Sequence, residues 1–535
     1  KLQSFVKQVR VHLAGLQTDW RTLQLAKQVA RNTQTDETKN PVIIFNASTR
    51  LNTLSQNAAF SMLAGWAVQL AGWPVINFIC QAGMSRCVLG TDQDDFAVNP
   101  PCKACMHQSR LNEYATQVHP FVYKEDGDLR NRLKDLSLKA LIDFEFPFAE
   151  NTLPLGALVL PSIRWRLRRS NLEDDESTRF LYREYILSAW NVAREFDALL
   201  KNIYPRAVLV FNGQFFPEAV VRQICFLRGI FSVTHEVAMQ PLSGFFTPGE
   251  ATAYPVDIPK DFSLTAAQNS RLDAYLEKRL QGNFSMAGIR FWPQMKALDT
   301  SFLEKAAQFK QIVPVFTNVI FDTSQPHSNV IFQDMFAWLD QVLELIRCHP
   351  ETLFVLRAHP DEKRAGKLSQ ESVSSWVAEH GANELANVVF VDSLEYISSY
   401  ELIELSKFIM IYNSTIGLEA AIMGKIVLSA GRSRFTSYPI VYFPGSPEAY
   451  RQQAEDLLDA DTLQAPVHFR ENARRFLFYL LFRTSFPFNE FLEPSLVPGV
   501  VQLKKFTWQA ITNSPVLKTV VKGLTERIPF LYVQD

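Results

Sequence analysis

The stretch from Leu353 to Leu428 decides how this sequence folds. It contains LFVLRAHP at 353–360, VVFVDS at 388–393, FIMIYNSTIGLEA at 408–420 and GKIVL at 424–428. Each run is apolar for three to five residues. In the first three, polar residues follow. Continuous apolar runs of that length suit strands buried on both faces of a parallel sheet. The candidate strands are Leu353–Leu356, Val388–Val391, Phe408–Ile411 and Ile426–Leu428, with Ile312–Phe316 ahead of them. Helical patterns near Val330–Ile346, Gln370–His380, Tyr396–Leu405 and Thr415–Met423 alternate with these runs. Strands alternating with helices predict a doubly wound parallel sheet.

The same alternation recurs upstream. Pro41–Phe45, a polar loop Asn46–Gln56, a small-residue helix Asn57–Leu70 and Pro74–Ile79 read as a βαβ unit. Ala207–Phe211, the helix Pro217–Leu227 and Ile230–Val233 read as a second. The first thirty-two residues read as a helix, from Val6, Val9, Leu13 and Leu16. Residues 240–305 are loop-rich, with one helix at Ala266–Leu280, and separate the two blocks. The expectation is an α/β protein of two Rossmann-like domains facing a cleft. Residues 1–305 form the first domain, with a cysteine-containing insert at about 80–170. Residues 306–470 form the second. Residues 471–535 form a helical tail packing back on both.

Ligands of open α/β sheets bind beyond the carboxyl ends of the strands. Thr317 and Asn318 follow one strand; Arg357, His359 and Pro360 follow the next. Asp392 and Ser393 follow a third, and Tyr412, Asn413, Ser414 and Thr415 a fourth. Four consecutive strand ends carrying such groups point to an anionic ligand, a nucleotide mono- or diphosphate. Ser414 and Thr415 open a helix, where free N–H groups favour phosphate, although capping that helix is the simpler use of such a pair. Arg357 and His359 add donors for the same oxygens. Glu419 lies one turn beyond Thr415 and could accept from ribose hydroxyls or face solvent. In the other block, Phe211-Asn212-Gly213-Gln214 and Thr234-His235-Glu236 lie at strand ends. His235 and Glu236 form the candidate acid–base pair, with a structural histidine as the alternative. Asp322 could reach the cleft or stay in solvent.

Arg357-Ala358-His359-Pro360, Tyr412-Asn413-Ser414-Thr415-Ile416-Gly417-Leu418-Glu419-Ala420 and Gly424-Lys425 together resemble capsule polysaccharide biosynthesis proteins, including the Kdo transferases of capsule assembly. Teichoic-acid polymerases and some sialyltransferases share the His-Pro theme. All resemble the two-domain GT-B glycosyltransferase architecture. The resemblance implies contact of His359, Ser414 and Thr415 with donor phosphate and of Glu419 with ribose. It implies a nucleotide-sugar donor, CMP- or UDP-linked, and a glycan or glycolipid acceptor, with no catalytic metal. A polyol-phosphate transferase, a nucleotide-sugar epimerase or a non-catalytic scaffold of envelope assembly are the alternatives.

Other features bound the reading. Lys+Arg 54 against Asp+Glu 55 gives a net charge of −1, which gives no support to a nucleic-acid binder. The 41 phenylalanines lack a polar handle and are expected in cores. The apolar stretch Ala58–Cys80 is broken by Gln69, Pro74 and Asn77 and so reads as helix, turn and strand. No basic n-region followed by an apolar h-region opens the sequence, and six cysteines make no disulfide scaffold. A cytoplasmic protein is expected, with peripheral attachment to the inner face of a membrane as an extension. No G-x-G-x-x-G occurs, and Gly417 to Gly424-Lys425 has the wrong spacing for a P-loop. Cys80, Cys87, Cys102 and Cys105 could hold a structural zinc, an iron–sulfur cluster, or be plain buried thiols. Arg164, Arg166, Arg168 and Arg169 form a basic knot. It could pair with the acidic run Glu173–Glu176 or meet an anionic acceptor or headgroup.

Overall fold

The computed structural model describes residues 2–49, 51–280, 295–363, 368–495, 497 and 499–533. Part of the loop-rich stretch, residues 281–294, lies outside the described residues. In the first block, β1 (Val42–Phe45), β2 (Val75–Cys80) and β3 (Gln117–Phe121) precede a small hairpin, β4 (Phe146–Phe148) and β5 (Asn151–Leu153). The sheet resumes with β6 (Ala207–Phe211), β7 (Ser232–Val237) and β8 (Ser243–Thr247). The second block supplies β9 (Gln311–Phe316), β10 (Thr352–Arg357), β11 (Val388–Val391), β12 (Ile409–Ile411) and β13 (Val427–Ser429). The tail adds β14 (Phe486–Pro487) and a hairpin of β15 (Leu492–Pro494) and β16 (Val501–Leu503).

Two separate larger sheets result. The first runs β14-β8-β7-β6-β1-β2-β3 and the second β11-β10-β9-β12-β13. All pairs of the second are parallel, in register from Thr352↔Gln311 to Arg357↔Phe316 for β10 and β9. The first is parallel from β3 to β7; β8 and β14 then pair antiparallel. This is the expected α/β class. Strand order reverses about β9 in one sheet and about β1 in the other. The crevices at those switch points face a shared cleft.

Fully buried runs such as Ala207–Phe211 and Thr352–Arg357 form central strands because every side chain meets a helix layer. Phenylalanines fill the layers as expected: Phe78 stacks on Phe121 at 4.5 Å and lies 5.2 Å from Phe45. The tail crosses between the blocks. Its helix Val467–Phe482 buries Phe476, Leu477 and Leu480 with Leu418 and Ala421 of the second block. Beyond it, β14 extends the first sheet, and helix Pro515–Glu526 shares a core with Phe60, Leu63 and Trp66. The tail is therefore mostly helical, with three short strands added. Strands β3 and β8 were not expected. Pro120 is tolerated in β3 because that strand is the sheet's edge.

Candidate active site

Both switch-point crevices open into one cleft of about 820 Å³. Its second-block wall carries Thr317, Asn318, Arg357, His359, Ser414, Thr415 and Glu419, all seven donor-side residues expected from the sequence. Its first-block wall carries Asn212 and Glu236.

Arg357 ends β10 and is only 4 % exposed. Its Nη1 is buried with no hydrogen-bond partner among the described residues. Burial pulls the guanidinium down to about 10, against the charge of Glu395. A buried cationic donor without an anion is expensive, and a ligand oxyanion would satisfy it. Two residues on, His359 Nδ1 accepts the Asp361 N–H at 3.1 Å. The neutral ring therefore carries its proton on Nε2, which becomes a donor. Burial lowers the His359 pKa and favours that neutral ring.

The neighbouring strand ends are cross-tied. Thr317 Oγ1 donates to the Arg357 carbonyl at 2.9 Å. Asn318 Nδ2 donates to Asn413 Oδ1 at 2.6 Å, and Asn413 Nδ2 to Ser328 Oγ at 2.6 Å. Helix Ile416–Ile422 starts behind Ser414 and Thr415, and Thr415 makes no side-chain capping bond. Gly417 permits that start to press on β12: an added Cβ would lie 2.5 Å from Ile411 Cδ1. Glu419 lines the cleft but is already engaged. Its Oε1 accepts Arg279 Nε at 2.8 Å and Nη2 at 2.5 Å, and Oε2 accepts the Tyr400 hydroxyl.

On the opposite wall, Glu236 Oε1 accepts Asn57 Nδ2 at 2.8 Å and the Val237 N–H at 2.9 Å, and Oε2 accepts Asn212 Nδ2 at 2.9 Å. Burial raises its pKa despite these donors. Asn212 holds this geometry from a left-handed backbone, φ +58°, a strained conformation of the kind found at functional sites. The paired role expected for His235 is corrected. Adjacent residues of a strand point to opposite faces, so Glu236 reaches the cleft and His235 does not. His235 is fully buried, stacks on Phe246 at 5.6 Å and contacts Asn46 Oδ1 at 3.4 Å. Burial pulls its pKa down to about 3.

Several cleft residues were not anticipated. Arg432 and Arg434 follow β13, and Arg434 lies 4.0 Å over the Tyr254 ring. The strand-end rule reaches them once the fifth strand is included. Asp322, which sequence left between cleft and solvent, lines the cleft. His327 also lines it, and its Nδ1 meets Glu250 Oε2 at 3.0 Å. Glu218 is fully buried behind the cleft, accepts the Ser48 N–H at 2.7 Å, and is pushed by burial up to about 8. Tyr254, Arg279 and Glu218 have no local sequence signal, because tertiary packing alone brings them here.

The four clustered cysteines lie near one another, starting with Cys80 at the end of β2. Cys80 Sγ accepts the Gly83 N–H at 3.2 Å, and Cys87 Sγ the Gly90 N–H at 3.3 Å. Burial pushes the Cys87 thiol up to about 12 and raises Cys80 and Cys102 as well. Among the described residues, no group of three or more His, Cys, Asp and Glu is placed to hold a metal ion. As placed here, the four do not form a ligand set. Among the described residues, no helix is long and apolar enough to cross a membrane.

Residues 292–460 match the family model of capsule polysaccharide biosynthesis proteins. Protein FixF of Sinorhizobium fredii is 28% identical over 243 residues, 44% of this chain. The chain spans about half the length of that curated relative, 50%. The solved β-Kdo 2,7 transferase KpsC of Thermosulfurimonas dismutans is 14% identical, covering 59% of this chain and 87% of its own, with TM-score 0.34. The UDP-GlcNAc 2-epimerase of Neisseria meningitidis is 11% identical, covering 83% and 99%, with TM-score 0.23. Over residues 292–460, the segment that carries Arg357, His359, Ser414, Thr415 and Glu419, this chain is thus similar to the capsule polysaccharide biosynthesis proteins that its motifs resemble.

Proposed function

We propose that the protein is a glycosyltransferase that moves a sugar from a nucleotide-sugar donor, CMP- or UDP-linked, to a surface-glycan or glycolipid acceptor, working at the inner face of the membrane. The observation that carries this reading is the Arg357 guanidinium, buried in the cleft with Nη1 unpartnered, in the same cavity as the Glu236 carboxylate. The family match over residues 292–460 supports it.

In this reading the donor phosphate binds Arg357 and the Nε2–H of His359. The ribose hydroxyls bind Glu419 Oε2, which keeps a lone pair beyond the Tyr400 bond. As the bond from sugar carbon to phosphate oxygen breaks, its electron pair stays on the nucleotide. Arg357 and His359 stabilise that growing charge more than they stabilise the bound donor. The acceptor oxygen bonds to the sugar carbon and its proton passes to Glu236. Asn57, Asn212 and the Val237 N–H hold that carboxylate ionised and aimed.

The test is sugar transfer with and without acceptor. The proposal expects release of nucleotide only when an acceptor hydroxyl is supplied, and loss of release in Glu236→Gln. Acceptor-independent conversion of the donor sugar would instead identify an epimerase.

A further inference from the structure

The basic knot at the end of helix Leu155–Leu167 resolves into two kinds of arginine. Arg169 pairs with Glu173 at 2.5 Å, and Arg164 donates to the Ser170 carbonyl at 2.9 Å. The rest of the acidic run turns elsewhere: Asp174 to Arg179, and Glu176 to Arg179 and Arg183. Arg166 and Arg168 are left over. Arg168 is 6 % exposed, and among the described residues its buried Nε and Nη1 have no hydrogen-bond partners. Arg166 Nε is likewise buried and unpartnered among them. Its nearest carboxylates, Asp92 and Asp94, are felt at a distance and form no ion pair with it among the described residues.

Arg168 holds this place from a left-handed backbone, φ +56°, which a long side chain rarely adopts. Its guanidinium lies 4.2 Å from the Trp165 ring and 4.9 Å from the Phe321 ring of the other block. Those rings and the helix C-terminus stabilise a cation, but they leave its N–H donors unsatisfied. Two neighbouring cations with buried, unused donors repel each other and are costly unless an anion joins them. Trp165 and Leu89 line the cleft on the first-block side, so such an anion would sit beside the acceptor wall.

We infer that Arg166 and Arg168 form an oxyanion site for the acceptor. The group bound is a carboxylate of an acidic sugar residue or a phosphate ester of a glycolipid. As an assignment to the acceptor, this rests on the transferase reading above; as an anion site, it does not.

Isothermal titration of the full chain with inorganic phosphate, and separately with glucuronate, tests the site. Arg357→Met removes the donor-side anion response. In that background one probe site should remain. Adding Arg168→Met should weaken it about tenfold or more, with no loss of thermal stability because an unpaired buried charge is removed. Arg166→Gln should weaken it in the same direction and serves if Arg168→Met does not fold. Tighter glucuronate binding would assign an acidic sugar, and tighter phosphate binding a phosphate ester; both support the site. Equal probe affinity with and without Arg168→Met, or no probe binding in Arg357→Met, would overturn it. If the parent binds no nucleotide while the Arg168-dependent site persists, the donor reading fails and the anion site stands.

Discussion

At the scale of single residues, the claim rests on the buried Arg357 guanidinium, whose Nη1 has no partner among the described residues, and on one acceptor held by amides. Replacing His359 by alanine removes the Nε2–H proposed to meet the leaving phosphate. Transfer should fall by about a hundred- to a thousandfold, with the unfolding midpoint little changed; turnover and melting on one preparation check this. A packing histidine would show the reverse. Glu236 gives a pH signature. Its folded pKa is raised by burial, so the proposed base is lost as pH falls through a value above the ordinary 4.5. The acid limb of kcat/KM should lie above that value and disappear with the residual activity of Glu236→Gln. The place of Arg357, His359, Ser414 and Thr415 in the cleft was legible because a strand end is a sequence position. His235 was misread because two adjacent residues cannot both leave a strand on one face. Arg432 and Arg434 were overlooked one strand short of the end of the same pattern. Glu419 was found, but its partners Arg279 and Tyr400 come from distant elements that no spacing announces.

At the scale of elements, the tight seat of helix Ile416–Ile422 on β12 places Ser414 and Thr415. Gly417→Ala would put a methyl 2.5 Å from Ile411 Cδ1. Overpacking of that kind costs about 1–3 kcal/mol. The variant should fold, unfold at lower denaturant, and bind nucleotide more weakly because the strand-end loop is pushed outward. Unchanged nucleotide affinity would detach this helix start from the site. Most central strands and helices were readable, since buried parallel strands are continuous apolar runs. The edge strand β3, with its exposed Gln117 and Val118, and the antiparallel β8 carry no such run. Their strand state comes from a neighbour's free backbone groups.

At the scale of the whole molecule, two blocks meet across the cleft through Glu250 of the first and His327 of the second. The His327 hydrogen bond first, then the charge of Arg222, holds the Glu250 carboxyl down at about 2. A depressed acid stabilises the fold above its unfolded value of 4.5 and loses that contribution as pH falls through about 2. Glu250→Gln should therefore be less stable than the parent at neutral pH, and the gap should close in acid. Melting curves of both proteins between those limits measure it; a gap independent of pH would remove Glu250 as a charged tie. The most direct measurement for the account as a whole is calorimetric titration of the full chain with CMP, UDP, GDP and dTDP. The account predicts one-site binding of CMP or UDP, weakened about tenfold or more in Arg357→Met. No binding of any of the four, or equal affinity in Arg357→Met, would contradict it.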